Sequence, residues 1–347
     1  MEEKKEMPEL LELMLRPGFC VKENTITAVN HAAGGLLLAP GMEILPLLLT
    51  GREEYEAFRE GCLYLKLDLG GHSFGASVVK AEDCDIFVLD QESDDSQLRC
   101  LALAARELRE PLTDLMIAAD RIGADSEDMA RLNRGLHRML RLIGNMSDAG
   151  RTAVSSRQEL RNLTQFFAEV FEKAQTLASH TGISLIYQGP KQEVFALADG
   201  EQLERAVLNI LSNALKFTPN GGSIDAKLTL QGRQLRLSIT DSGSGIAENV
   251  RSSIFSRYLR QPGIEDSRHG LGLGMVLIRS AASNHGGTVL IDQPRGKGTR
   301  VTLTLALRQT GEGSLRSPVL RVDYAGEGDH GLIELADCLP LELYKKD

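Results

Sequence analysis

Two runs of apolar residues at alternating spacings of four and three, separated by one short break, constrain this chain more than any other feature. Leu101, Ala105, Leu108, Leu112, Leu115, Ala119 and Ile122 form the first run, and Met129, Leu132, Leu136, Met139, Ile143 and Met146 the second. A repeat averaging 3.5 residues keeps one apolar seam along one side of a helix. Gly123 to Ser126 interrupt it, so residues 96–150 read as an antiparallel helical hairpin. A single hairpin buries little by itself. The expected completion is a homodimer in which two hairpins form a four-helix bundle.

The rest of the 347 residues divides around that hairpin. Residues 1–95 contain a pattern of hairpin, short helices and three strands. Leu63, Leu65, Leu67 and Leu69 alternate with Tyr64, Lys66 and Asp68, which predicts a half-buried strand. Phe74, Ala76 and Val78 alternate again, Ile86 to Leu89 is a short buried strand, and Glu23-Asn24 turns an earlier hairpin. Residues 151–308 mix helical patterns at 159–181, 201–216 and 271–285 with strand patterns near 183–188, 193–197, 223–230, 234–240, 287–292 and 299–307. Residues 309–347 are an extension with a GEGS linker, followed by PVLRVDY and GLIELADCLPLEL, both expected to be ordered. The fold class is α+β, in several domains.

The net charge of −9 is unevenly spread: residues 1–95 carry 8 basic and 19 acidic side chains, residues 151–308 carry 19 and 13. A basic block inside an acidic chain favours a local polyanionic ligand over nucleic acid. The apolar stretch Leu36 to Leu49 is broken by Pro40, Gly41, Glu43 and Pro46, and no segment approaches the ~20 apolar residues that span a bilayer. Five scattered cysteines with no CxxC pair give neither a disulfide framework nor a zinc site, which fits a reduced cytoplasmic protein.

Four segments of residues 151–308 carry chemistry. In LERAVLNILSNALKFTP, Asn209 and Asn213 lie four apart and Lys216 three further, so all three share a side of one helix. Carboxamides offer neutral oxygens to magnesium and a lysine offers charge to phosphates, although such a trio alone is most often a solvated helix face. TDSGSGI follows a strand and sets Asp241 before Gly243 and Gly245. IFSRY has Arg257 and Arg260 nearby. HGLGLGM places Gly270, Leu271, Gly272 and Gly274 at the opening of a helix, whose amides suit phosphate.

In this order and spacing, the four segments resemble the ATP-binding domain of the sensor histidine kinases, within the superfamily of gyrase, heat-shock chaperone and mismatch-repair ATPases. HGG at His285–Gly287 and GKGTRVTLTL fit the same pattern. The resemblance implies a Bergerat-type α/β sandwich that binds ATP with Mg2+. It assigns Asn213 to the metal with Asn209 in support, Lys216 to phosphate and Asp241 to the adenine amine. Gly243, Gly245, Gly270, Leu271, Gly272 and Gly274 would shape the pocket and its lid, about 256–270. Arg268-His269 and Gly274 depart from the family's GTGLGLA. GFCVKENTITAVNHAAGGLLL likewise resembles the opening of a PAS sensor domain.

The family's phosphoacceptor box resembles SHELRTPL. Here it reads ARELREPL over 105–112, with Arg106 at the histidine position and Glu107 as the retained acidic partner. A guanidinium stays protonated and cannot be the nucleophile. The resemblance therefore implies a kinase-like protein without standard autophosphorylation. One alternative is an active kinase using another acceptor such as His137. Another is an ATP-binding scaffold for a response-regulator receiver domain, for which Arg131, Arg134, Arg138 and Arg141 form a basic docking strip. A serine kinase of the anti-sigma type would lack the heptads.

Overall fold

The computed structural model describes residues 11, 14–81, 83–90, 92–122, 126–149, 158–246, 254–255, 273–294, 297–307 and 329–345. Near the N-terminus, β1 (Gly18–Lys22) and β2 (Thr25–Val29) form a hairpin. Its two turn residues, Glu23 (φ 50°) and Asn24 (φ 64°), are both left-handed, as a two-residue turn of matching twist requires. Two 3-10 turns and α1 (Arg52–Ala57) lead to β3 (Cys62–Leu69), β4 (His72–Lys80) and β5 (Asp85–Leu89). These strands run in the order β2-β1-β5-β4-β3 over a core that includes Phe19, Ile26, Leu63, Leu65, Leu67 and Phe87.

β3 differs from its expected half-buried state. Its odd-numbered leucines face that core, but Cys62 and Tyr64 on the opposite face are buried too, in a second and larger core. The cause is that β3 is not a sheet edge: it pairs antiparallel with β11 (Val289–Asp292), setting Tyr64 against Val289. One ten-stranded sheet results, continuing β3-β11-β12-β10-β9-β7. The second half contains β7 (Ser184–Gln188), β9 (Ser223–Gln231), β10 (Gln234–Asp241) and β12 (Arg300–Ala306), with β7 and β9 parallel. A buried arginine seals the joint. Arg279 lies on α6 (Leu273–Asn284), donates to the Phe255 carbonyl at 2.7 Å and to Asp90 at 3.0 Å, and sits over the Tyr64 ring.

The helices of the larger core are α4 (Leu163–Ala178) and α5 (Gly200–Phe217), besides α6. The helix expected over 159–181 starts late. Glu159–Asn162 instead form β6, which pairs with β8 (Phe195–Ala198). Asn162 is the N-cap of α4, its side chain accepting from the Gln165 N–H, and a capped turn cannot extend backwards.

The hairpin helices are α2 (Glu92–Ile122) and α3 (Glu127–Ala149). The single expected seam is two seams. Leu98, Ala105, Leu112 and Ala119, seven apart, are buried within the chain, whereas Leu108, Leu115 and Ile122 are 49%, 54% and 64% exposed. One half of the heptad pattern thus closes the hairpin and the other half faces outward. From the extension, α7 (His330–Glu334) and a 3-10 turn at Leu341–Tyr344 pack against α3 and α5. PVLRVDY lies outside the described residues. No helix among the described residues is long and apolar enough to cross a membrane.

Candidate functional site

Helix α5 organises the site. Leu203, Val207, Ile210, Leu211 and Ala214 bury one side of it. Asp199 caps its start by accepting from the Gln202 N–H, and Thr218 ends it before Pro219. The Asp199 N–H donates to His285 Nε2 at 3.0 Å while His285 Nδ1 meets the Ala281 carbonyl at 2.7 Å. His285 of the HGG segment is therefore a structural clip between the end of α6 and the start of α5.

Two of the other predicted segments approach α5. Asp241 ends β10, is buried, and takes the Gly243 N–H at 2.8 Å and the Thr299 N–H at 3.1 Å on one carboxylate oxygen. Burial pushes its carboxyl above the ordinary range, against the pull of those hydrogen bonds. Gly243 passes so close to the end of α5 that a Cβ would fall 2.5 Å from the Phe217 carbonyl oxygen. Gly274, in the first turn of α6, approaches the middle of α5: a Cβ there would lie 2.9 Å from the Asn209 Oδ1. Gly245 follows in a left-handed turn at φ 78°. Gly243 and Gly274 thus approach α5 at its end and at its middle, and Asn213 is half-buried between Asn209 and Lys216. Gly270, Leu271, Gly272, Arg268, His269, Arg257 and Arg260 lie outside the described residues.

The donor set fits a magnesium ion carried by a polyphosphate. Among the described residues there is no cluster of three or more Asp, Glu, His or Cys side chains to cage a metal. Magnesium is commonly held by one or two protein oxygens with substrate phosphates and waters, and the Asn213 carboxamide supplies such an oxygen.

Relationships to known proteins agree with this geometry. The family model described as "Histidine kinase-, DNA gyrase B-, and HSP90-like ATPase" matches residues 198–309, which hold all four segments. The adaptive-response sensory kinase SasA of Synechococcus sp. (strain CC9311) is 30% identical over 256 residues, 70% of this chain and 66% of that protein. The sensor histidine kinase CusS of Escherichia coli (strain K12) is 28% identical over 212 residues, 58% of this chain and 44% of that one. The chain belongs to the sensor histidine kinase family. It spans less than two thirds of the length of these relatives. Among solved structures, full-length ShkA in complex with AMPPNP shares the fold over 60% of this chain and 46% of its own, at TM-score 0.50 and 22% identity.

Two further features of this histidine kinase family member concern the acceptor box and the arginine strip. Arg106 and Glu107 stand exposed on α2. They follow Leu101, which packs with the start of α6, by five and six residues, or about 7.5–9 Å along the helix. The arginine strip differs from a free docking face, because the extension covers Arg138 and Arg141. Arg141 is buried, bonded to Glu334 at 3.3 Å and Asp337 at 2.7 Å, and Arg138 pairs with Asp337 at 3.0 Å. Arg131 pairs with Glu127 and Asp128 on its own helix. His137, expected to be exposed, is half-buried, with its Nδ1 at the Asn133 carbonyl and the Tyr344 ring edge-on at 5.3 Å.

Arg205 and Ser212 join Asn209 and Lys216 in a stripe of α5 that was not foreseen from the sequence. Arg205, Asn209, Ser212 and Lys216 recur at spacings of four, three and four. All four touch the extension: Arg205 meets Glu334 at 3.1 Å, Asn209 meets Glu334 at 3.4 Å, Ser212 meets Cys338, and Lys216 meets Asp337 at 3.1 Å. Arg205 also bonds Asp148 and Asn145 of α3. The signal for this was present as a pair of acids three apart in an apolar segment, GLIELADCLPLEL.

Proposed function

We propose that this chain binds Mg-ATP between α5, the Asp241–Gly245 turn and the start of α6, and acts in signal transduction without autophosphorylating at the customary position. The close approach of the Asp241–Gly243 turn to the end of α5 and of Gly274 to Asn209, with Asn213 and Lys216 one and two turns further along α5, supports the reading. Asp241 takes the adenine amine, Asn213 the magnesium ion, and Lys216 the phosphates. Bound magnesium draws charge from the phosphate oxygens. The chain's part is to orient the base at one end and neutralise phosphate charge at the other.

Phosphoryl transfer also needs an acceptor in line with the terminal phosphate. Arg106 stands at the family's acceptor position on α2, and a guanidinium, which stays protonated, does not accept phosphate. Residues 1–95 serve as the sensor unit, their order of hairpin, short helices and three strands supporting a PAS-like reading. Residues 96–150 pair two chains through the exposed heptad positions Leu108, Leu115 and Ile122. A receiver domain is the partner class that family membership favours, but docking through Arg138 and Arg141 first requires the extension to leave.

Incubation with γ-labelled ATP, followed by acid and base treatment of the protein, tests the reading. The expected result is no acid-labile, base-stable label on the wild type and a trace of it on Arg106→His, where Glu107 remains. Strong wild-type label mapped to His137 would replace this reading with that of an active kinase with a displaced acceptor.

A further inference from the structure

The extension bears directly on the nucleotide site. Glu334 is fully buried between the guanidinium groups of Arg141 and Arg205, and Asp337 sits among Lys216, Arg141 and Arg138. These carboxylates occupy a cradle of four cations on α3 and α5. The Lys216 side chain is 8% exposed and its ammonium is committed to Asp337. The Asn209 carboxamide is committed as well: its NH2 donates to the Arg205 carbonyl and to Glu334, and its oxygen accepts from Arg141. Two of the three α5 side chains assigned to magnesium and phosphate are therefore held by the chain's own acids.

The same contacts fix the ATP-binding unit to the hairpin. Glu334 and Asp337 each bridge α3 and α5, Tyr344 lies against His137 while its carbonyl accepts from Asn133, and His330 meets Glu204 of α5. Leu335, Ala336 and Leu339 complete the docking from within the larger core, and Ile333 packs in the hairpin core. An ATP-binding unit tied in this way cannot shift along α2 toward or away from Arg106.

We propose that residues 329–345 are an autoinhibitory strap, which when docked withholds Lys216 and Asn209 from nucleotide phosphates and locks the ATP-binding unit to α3. The inference rests on the nucleotide reading above. Polyphosphate and strap compete for the same ammonium group, so the apparent affinity for Mg-ATP is the intrinsic one reduced by the fraction of molecules with the strap released. Any ligand or partner that captures the acidic face of 329–345 raises that fraction.

Full-length variants test this through calorimetric titration with Mg-ATP. Asp337→Asn keeps the shape of the strap and removes its charge at Lys216. One charge-assisted contact corresponds to about a tenfold gain in affinity. In the opposite direction, Ser212→Cys places a second sulfur beside the native Cys338, where the hydroxyl now lies 3.9 Å from the thiol. Oxidation with diamide, checked by peptide mass for the 212–338 link, ties the strap down. Mg-ATP affinity should then fall at least tenfold and return on reduction. Equal affinity in linked and reduced protein, or in Asp337→Asn and wild type, while Asn213→Ala weakens binding, would overturn the strap and leave the nucleotide site standing. Absence of Mg-ATP binding in every folded variant would instead overturn the nucleotide site, and the strap with it.

Discussion

The two ends of the proposed nucleotide site are held by different means. At the base end, Asp241 is fixed by backbone N–H groups of its own turn and of Thr299, all within one sheet and its loops. At the phosphate end, Asn209 and Lys216 are held by Glu334 and Asp337, carboxylates from a segment more than a hundred residues away in the chain. A site anchored by local backbone is set once the sheet forms. A site anchored by a docked segment is set only while that segment stays. Under the proposed ATP reading, such a chain keeps its adenine contacts constant while its phosphate contacts are switched.

The largest effect belongs to the docked end. Glu334→Ala leaves Arg141 and Arg205 buried without their shared counter-ion, and breaking one side of a buried ion pair costs about 3–5 kcal/mol. Denaturant unfolding of the full chain should show that loss. A change under about 1 kcal/mol would mean that the extension is not docked in solution.

At the base end the expected effect is smaller and confined to binding. Asp241→Asn keeps an oxygen for the Gly243 N–H but replaces a charged acceptor for the adenine amine. ATP affinity should fall about tenfold, in the range of one hydrogen bond to a charged group. Equal losses for ATP and for inorganic tripolyphosphate would contradict the assignment of Asp241 to the base.

Acid separates the two ends most gently. Burial raises the Asp241 carboxyl, so at neutral pH its charge burdens the folded state, and that burden is relieved as pH falls through its raised value. Asp337 behaves in the opposite way. Burial would raise it, but the charges of Lys216, Arg141 and Arg138 outweigh burial and hold it below 3.8. Its stabilising contribution is present above the ordinary carboxylate range and is lost only as pH falls through that lowered value. On acidification from neutrality, Asp241 should titrate first while the strap stays docked. Carboxyl chemical shifts would check the order, and simultaneous titration of the two groups would remove the contrast.

Much of this was legible in the sequence where the signal is local. The spacing of Asn209, Asn213 and Lys216, the Asp-x-Gly-x-Gly turn and the heptads each specify a face or a bend within a few residues. The pairing of β3 with β11 was not, because strand alternation says that a face is buried and not against what. The split of the heptad pattern into 98/105/112/119 and 101/108/115/122 depends on the angle at which α3 lies against α2. The strap was hidden for a third reason: Glu334 and Asp337 share a face as residues three apart, but the cations they meet are spread over α3 and α5 and read separately as solvated stripes.

Magnesium dependence tests the central claim most directly. ATP would be titrated into the full-length wild type and Asn213→Ala, each with excess Mg2+ and with excess EDTA, by calorimetry. Wild-type affinity should fall when the metal is removed, and Asn213→Ala should bind ATP weakly and equally under both conditions. A wild type indifferent to magnesium, or an Asn213→Ala variant that keeps the full magnesium dependence, would contradict that claim.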